Sequence, residues 1–282
     1  WQKRDFGSDN VETGGAWDFT NGARLNEFEQ RDYDISRERA GGGLNFDYKP
    51  DDLSSYYLRT LYSRYKDTET RNAASLEFAD PQAPGELGDA EGKRKLKNRE
   101  ETQQIQSYVV GGERMLGLWT LSGQAGYSRS SEDSPGHIAG ATFDGGDFAD
   151  SGFYDTAKPR PIIGSGFYDP ANFSLDKVDW EKQHTQDTEK NLRLDLARDY
   201  DLSGYASQFK FGGKVSRRHK DNDLEAWVYK DLDEQGLSDE QLNLTQFQKG
   251  NVDYRLGRFG PGISAGNIRQ LIGGLNRDDF YD

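Results

Sequence analysis

Between Gln186 and Arg217 apolar and polar side chains alternate almost one for one. Leu192, Leu194 and Leu196 are interleaved with Arg193, Asp195 and Ala197, and further on Tyr205, Phe209, Phe211 and Val215 oppose Gln208, Lys210, Gly212, Lys214 and Ser216. A strand sends successive side chains to opposite faces, so a period of two builds one greasy face and one wet, charged face. No helix sorts these residues so cleanly. The join, Arg198 to Gly204, is short and rich in turn formers. The stretch reads as a hairpin of strands at about 186–198 and 205–217.

The same period recurs elsewhere. Gly42, Leu44, Phe46 and Tyr48 oppose Asn45, Asp47 and Lys49 in a strand at about 35–49, and Pro50-Asp51-Asp52 makes a tight turn. Beyond it Tyr56, Leu58, Thr60 and Tyr62 oppose Tyr57, Arg59, Leu61 and Ser63, at about 55–65. Ile105, Ser107, Val109 and Gly111 against Gln104, Gln106, Tyr108 and Val110 place a strand at about 101–112. Trp119, Leu121, Gly123, Ala125 and Tyr127 against Thr120, Ser122, Gln124, Gly126 and Ser128 place another at about 117–129.

Residues 1 to about 33 show no sustained period and read as loop. So do the long segments at about 66–100, 130–185 and 218–282. The first holds Asp80-Pro81-Gln82-Ala83-Pro84-Gly85 and Lys93-Arg94-Lys95-Leu96-Lys97; the second holds a small repeat, Ser151-Gly152-Phe153-Tyr154-Asp155 and Ser165-Gly166-Phe167-Tyr168-Asp169. The third is expected to carry two short helices. One runs from Ser238 to Lys249, with Ser238 and Gln241 fitting a capping box, and the other from Ser264 to Ile272, stopped by Gly273-Gly274.

The pattern therefore predicts an all-β chain, an antiparallel meander of about six strands in three hairpins, tight turns alternating with loops of roughly 35 to 60 residues where compact domains use about 4 to 6. Outer-membrane barrels have this asymmetry, with short turns at one end, long extracellular loops at the other, and strands apolar toward lipid and polar toward the lumen. Gly42, Gly111, Gly123, Gly126, Gly212 and Gly213 within strands would ease the curvature of such a wall. On this reading residues 1–282 form one partial β-barrel domain, part of a transmembrane barrel. Leu44, Phe46, Leu121, Leu192, Leu194, Leu196, Phe209 and Phe211 face lipid, and Arg59, Arg193, Asp195, Lys210 and Lys214 face the lumen. Tyr48, Tyr56, Tyr62, Trp119, Tyr127 and Tyr205, near strand ends, fit aromatic girdles. A soluble sandwich would use the same residues as core.

Composition sharpens this. A hydrophobic share of 33%, a mean hydropathy of −0.97 and a net charge of −13 lean toward weak packing. Against that stand 15 Tyr, 15 Phe, 5 Trp and 33 Gly, which suit an aromatic- and turn-rich β protein. The lack of cysteine removes disulfides and zinc–thiolate sites and leaves the compartment open. No apolar run approaches the roughly 18 residues of a membrane helix. The opening Trp1-Gln2-Lys3-Arg4-Asp5 has no signal-peptide core and starts in mid-pattern, as an excerpt of a longer chain would. The acidic balance and scattered bases argue against nucleic acid as a partner.

Candidate chemistry is sparse. His137, His184 and His219 lie far apart without metal-helix spacing, and Gly-x-Ser-x-Gly is absent. Gly140 to Asp147 lacks calcium-loop spacing, and Asp221-Asn222-Asp223 reads as a solvated strand exit. Neither an enzyme, a cofactor nor a metal site is expected. The loop aromatics Phe153, Tyr154, Phe167, Tyr168, Trp180 and Trp227 are candidates for stacking on a sugar or an aromatic chelator. Packing the loops together is the plainer use of them. The lumen-facing charges suit an anionic solute or a docked plug, or simply a wall that keeps an aqueous bore wet.

The run Arg37-Glu38-Arg39-Ala40-Gly41-Gly42-Gly43-Leu44-Asn45-Phe46-Asp47-Tyr48-Lys49-Pro50, the run Leu58-Arg59-Thr60-Leu61-Tyr62-Ser63-Arg64-Tyr65-Lys66-Asp67-Thr68-Glu69, and the run from Phe209-Lys210-Phe211-Gly212-Gly213 to Asp221-Asn222-Asp223 resemble the barrel of TonB-dependent outer-membrane receptors. The branch described from xanthomonads and caulobacters is the most similar. The resemblance covers about 40 to 223 in pieces. It implies a cell outer-membrane location and uptake of a scarce small solute, a ferric siderophore or an oligosaccharide. It also implies three partners: outer-membrane lipid, a plug domain of the same full-length chain, and TonB acting through that plug. Such receptors have a barrel of about 22 strands, a plug, a TonB box and usually a C-terminal aromatic. Here the plug domain and TonB box are absent and the chain ends Phe280-Tyr281-Asp282, so the resemblance implies part of a wall with its outer loops. The alternative from another class is a soluble extracellular β-sandwich that binds carbohydrate. It would cover the greasy face with a second sheet, where lipid leaves it bare. An open excerpt, with both sheet edges unpaired, is not expected to be stable alone in water.

Overall fold

In the computed structural model, which describes residues 1–13 and 17–281, alternation continues far past the expected strand ends. The chain forms β1 (Gln2–Glu12), β2 (Trp17–Asp18), β3 (Arg24–Gly42), β4 (Asn45–Asp51), β5 (Ser54–Gln82), β6 (Leu87–Leu116), β7 (Trp119–Tyr154), β8 (Arg160–Ile162), β9 (Ser174–Leu202) and β10 (Tyr205–Lys230). They make one antiparallel meander in the order β1-β3-β5-β6-β7-β9-β10, with β2 on β3, β4 on β5 and β8 on β7. β4 continues the line of β3: Gly42 lies opposite Tyr62 of β5 and Asn45 opposite Arg59, with the Thr60 amide donating to the Leu44 carbonyl at 3.0 Å between them. The sheet is open, with β1 and β10 at its edges.

All six expected strands are present, paired as the three expected hairpins through turns at Asp52-Leu53, Gly117-Leu118 and Ser203-Gly204. The expected long loops are largely strand, except that residues 231–281 and most of 155–173 lie outside the long strands. Residues 66–82 continue β5 and 87–100 continue β6, joined by four residues at 83–86. Residues 130–154 belong to β7 and 174–185 to β9; 218–230 belong to β10; and β1 with part of β3 occupies the opening segment. These strands reach 29, 30, 36, 29 and 26 residues from β5 to β7 and on through β9 and β10.

On β3, β5 and β6 one face carries a chain of ion pairs, within and between strands. Asp67 of β5 takes Arg37 of β3 at 2.7 Å and Arg99 of β6 at 3.8 Å, Arg99 meets Glu101 at 3.1 Å, and Lys95 reaches Glu29 at 2.8 Å. Opposite charges facing each other stabilise a sheet as apolar pairs do, but leave no hydrophobic period.

On the other face, the half of the sheet away from the three turns is covered by residues 231–281. This layer holds α1 (Asp239–Leu242), β11 (Gln248–Asn251), β12 (Pro261–Ile263), α2 (Ala265–Gly273) and short 3₁₀ turns. Leu76, Leu96, Ile138, Phe143, Val178 and Tyr229 of the sheet pack with Leu244, Phe247, Phe259, Ile263, Ile268 and Ile272 of the layer. α2 begins at the Ser264 cap and stops at Gly274 as expected. The capping box of Ser238 and Gln241 forms, but its helix is only four residues long. Leu242 and Leu244 both enter the core. A spacing of two cannot put both on one helical face, so the chain turns extended at Asn243.

The bolt of this layer is Arg94 on β6, 1% exposed. Its Nη1 donates to the Phe259 carbonyl at 2.6 Å and its Nη2 to the Phe167 carbonyl at 2.7 Å, with the Phe167 ring 4.6 Å below the guanidinium. No carboxylate pairs with it among the described residues, and burial pulls its pKa down to about 10. Gly260, at φ +98°, makes room: a Cβ there would lie 2.9 Å from Nη2.

Candidate functional site

Partner residues share a face in an antiparallel sheet, so the register sorts every strand position. Phe46, Leu58, Val110, Ala125, Leu192 and Val215 are successive partners across β4, β5, β6, β7, β9 and β10, a complete apolar row. The eight residues expected on the greasy face all belong to it. Leu192, Leu194, Phe209 and Phe211 are 50, 53, 57 and 51% exposed, so no second layer of this chain covers them. Leu44, Phe46 and Leu121 are likewise exposed and Leu196 half-buried.

The exposed band is staggered. On β5 it runs from Tyr56 to Tyr62, and on β10 from Tyr205 to Val215. Yet the row through Phe211 passes Leu196, Leu121 and Arg114 to meet β5 at Ser54, its turn end. From β5 to β10 the band centre slides toward the turns by roughly six residues, about 20 Å at ~3.3 Å per residue, over four strand spacings that total about 19 Å. Aromatics sit at its borders. Tyr48 stacks on Tyr56 and Tyr108 on Tyr127, both at 6.4 Å; within the band on β9, Arg198 lies opposite Phe209 and 5.2 Å from the Trp119 ring.

Arg59, Arg193, Asp195, Lys210 and Lys214 occupy the opposite face. Arg193 pairs with Asp195 at 2.8 Å and Lys210 approaches the same carboxylate at 3.9 Å. These three converge on a cavity of about 390 Å³ with Ser55, Tyr57, Glu113 and Gln124. Arg59 is turned aside to Asp47 and the Phe46 carbonyl, and Lys214 lies opposite Arg193 outside the cavity. Tyr57 was not among the expected site residues. It lies over Gly111, where a Cβ would be 2.4 Å from its hydroxyl, and donates to Gln124 Oε1 at 3.3 Å two strands away. Alternation placed Tyr57 beside Arg59; only the register, which sets it opposite Gly111, reveals the crossing. The cavity offers hydrogen bonds and paired charge to a polar solute or a packed protein surface.

The loop aromatics are mostly taken up in packing. Phe153, Phe167 and Trp227 are buried, which corrects their expected role as open stacking platforms. Phe153 meets Trp17 edge-on at 5.6 Å and Trp227 meets Tyr281 at 5.7 Å. Trp180 lies beneath Arg269 at 5.7 Å and Tyr168 beneath Arg258 at 4.0 Å; Tyr154 remains exposed. Phe153, Tyr154, Trp180 and Trp227 stand on strands, not loops, because β7, β9 and β10 run on, and all but Tyr154 join the core or pack against it.

The titratable groups are dispersed. His137 is buried at a bulge between β7 and β9, where burial and then Arg99, Lys97 and Arg269 lower its pKa to about 4, so a neutral imidazole faces Glu181 at 3.6 Å. His184 lies 3.4 Å from Asp133 and His219 lies 3.0 Å from Asp221. Asp221-Asn222-Asp223 is interior to β10 and not a strand exit. Asp32 of β3 faces Asp9 of β1, and burial followed by a hydrogen bond with Asp9 raises its pKa to about 6. Among the described residues no three acidic or histidine side chains are placed to hold a metal ion, and no helix is long and apolar enough to cross a membrane. No model of a known protein family matches this chain, and no curated protein is similar to it in sequence.

Proposed function

We propose that the chain is a section of the wall of a TonB-dependent outer-membrane receptor, with the turn half of the sheet crossing the outer membrane and the covered half standing outside the cell. The observation that carries this is the bare, staggered band. A slide of about 20 Å over about 19 Å corresponds to strands inclined about 45° to the plane that levels the band, close to the tilt of outer-membrane barrels, roughly 35–45°. On β10 the band spans Tyr205 to Val215, about 33 Å along the strand and about 23 Å along the normal, against an apolar belt of about 25 Å in such barrels. The aromatic borders match the interfacial girdles of membrane proteins. The charged face then lines the bore, and the cavity around Tyr57, Arg193, Asp195 and Lys210 meets a plug or a passing solute. In the family this chain resembles, outer loops capture a ferric siderophore or an oligosaccharide and TonB works through the plug. A sandwich would need a sheet over the band, and the layer at 231–281 covers only the other half.

The chain contains no cysteine, so single cysteines can be placed at will. Spin labels at Leu192→Cys, Arg193→Cys, Leu194→Cys and Asp195→Cys, in vesicle-reconstituted protein, are expected to alternate: the even pair collides with oxygen dissolved in lipid, the odd pair with a water-soluble nickel chelate. Nickel access at all four positions would refute the membrane assignment.

A further inference from the structure

On the charged face Arg31, Arg37, Arg59, Arg99, Arg193 and Arg218 each meet a carboxylate. Elsewhere on that face the cross-strand partners Arg71 and Lys97 meet none among the described residues, and on the band face Arg114 and Arg198 stand exposed without a carboxylate, as does a set of cations at one level. Moving away from the turns, the last apolar side chain of the band is Tyr62 on β5, Tyr127 on β7, Leu192 on β9 and Val215 on β10. The next residue of the same parity is Arg64, Arg129, Lys190 and Arg217. All four are exposed, and among the described residues none forms an ion pair; Arg129 donates instead to the Gln186 amide. Lys190 and Arg217 are direct cross-strand partners, and Lys190 also faces Tyr127. Like charges directly opposite each other destabilise a sheet. In a chain of net charge −13, carboxylates for pairing are plentiful, and this belt has none.

We propose that Arg64, Arg129, Lys190 and Arg217 seat the phosphate groups of anionic lipid headgroups along the outer border of the band. This rests on the membrane reading above. An acyl chain lying on Val215, Leu192 and Tyr127 brings its headgroup level with these cations. Arginine forks match phosphate oxygens in two parallel hydrogen bonds, and basic side chains at a membrane surface attract anionic lipid. The bound phosphate supplies the counter-charge that the Lys190–Arg217 pair lacks within the chain.

The test compares spin-labelled phosphatidylglycerol with spin-labelled phosphatidylcholine in vesicles holding the full chain, reading the fraction of each lipid immobilised at the protein. The native chain is expected to prefer phosphatidylglycerol several-fold. The preference falls toward unity in Lys190→Gln/Arg217→Gln, while total immobilised lipid is unchanged. Lys97→Gln/Lys220→Gln, which removes two cations from the charged face, keeps the preference. Equal immobilisation of both lipids by the native chain overturns the belt and leaves the membrane assignment standing. Loss of the preference in the charged-face variant makes it a net-charge effect and overturns the belt too. So does its abolition by low-millimolar inorganic phosphate, which makes the belt a free-anion site. Immobilisation of neither lipid overturns both proposals.

Discussion

Replacing Phe211 by arginine separates a lipid-facing band from a wet one by magnitude. Phe211 lies one residue from the band centre on β10, about 2 Å along the normal at a tilt of ~45°. It is 51% exposed, and its ring sits 5.8 Å from that of Phe209. In water the substitution costs one aromatic contact, about 0.5–1.5 kcal/mol. In a bilayer a guanidinium at the midplane costs about 2–4 kcal/mol, roughly 30- to 900-fold in the folding equilibrium. Val215, five residues from the centre and about 12 Å along the normal, is the internal control: there arginine costs about 0–1 kcal/mol. The measurement is guanidinium unfolding of the chain refolded into neutral phosphatidylcholine vesicles, followed by tryptophan fluorescence. A Phe211→Arg loss at least about 1.5 kcal/mol larger than that of Val215→Arg is expected. Equal losses, or losses below about 0.5 kcal/mol in both, refute the reasoning.

Arg94→Met strands the Phe259 and Phe167 carbonyls and is expected to destabilise the covering layer by about 3 kcal/mol, seen as faster proteolytic release of residues 231–281 with the sheet intact. Gly260→Ala does the same through its positive φ and the crowding of Arg94, at about 1–2 kcal/mol. Asp32 is a carboxyl whose folded pKa is raised from 3.8 to about 6, so the folded chain holds that proton more tightly than the unfolded one. Stability from this site is full below the ordinary carboxyl value and is lost as pH rises through about 6. Asp32→Asn is therefore expected to flatten the pH dependence over that window and to stabilise the chain above it, read from denaturant midpoints on either side of pH 6.

The turn half of the sheet was legible because one face there has nothing polar to hide behind: Leu192, Leu194, Phe209 and Phe211 alternate with charge, and the sequence names both faces at once. The far half was not, for two physical reasons. Bulges between Leu96 and Asn98, Ser134 and His137, and Ile138 and Gly140 shift the register and break the period. Some buried positions also carry the wrong label. Lys93-Arg94-Lys95-Leu96-Lys97 alternates well, with Arg94 and Leu96 toward the core, but a buried arginine counts as polar in any hydropathy pattern. β1 has no greasy face at all; its Phe6 lies between Arg4 and Arg37 at 5.6 and 5.0 Å. Of the expected charged-face residues, Arg193, Asp195 and Lys210 converge on one cavity. Tyr57 and Gln124 needed the register, which depends on where each turn closes.

Each strand of the meander pairs with a near neighbour in sequence, whereas the covering layer reaches back to the start of the chain: the Tyr254 hydroxyl donates to the Asn10 carbonyl at 2.6 Å across 244 residues. Closing so long a loop yields nothing until both ends are already formed. Assembly thus has a built-in order, hairpins first by local zippering and the Tyr254 staple last. A nascent chain halted before residue 231 carries the complete ribbon but leaves Leu76, Leu96 and Phe143 uncovered. That stage of synthesis is the one most in need of a chaperone's grip.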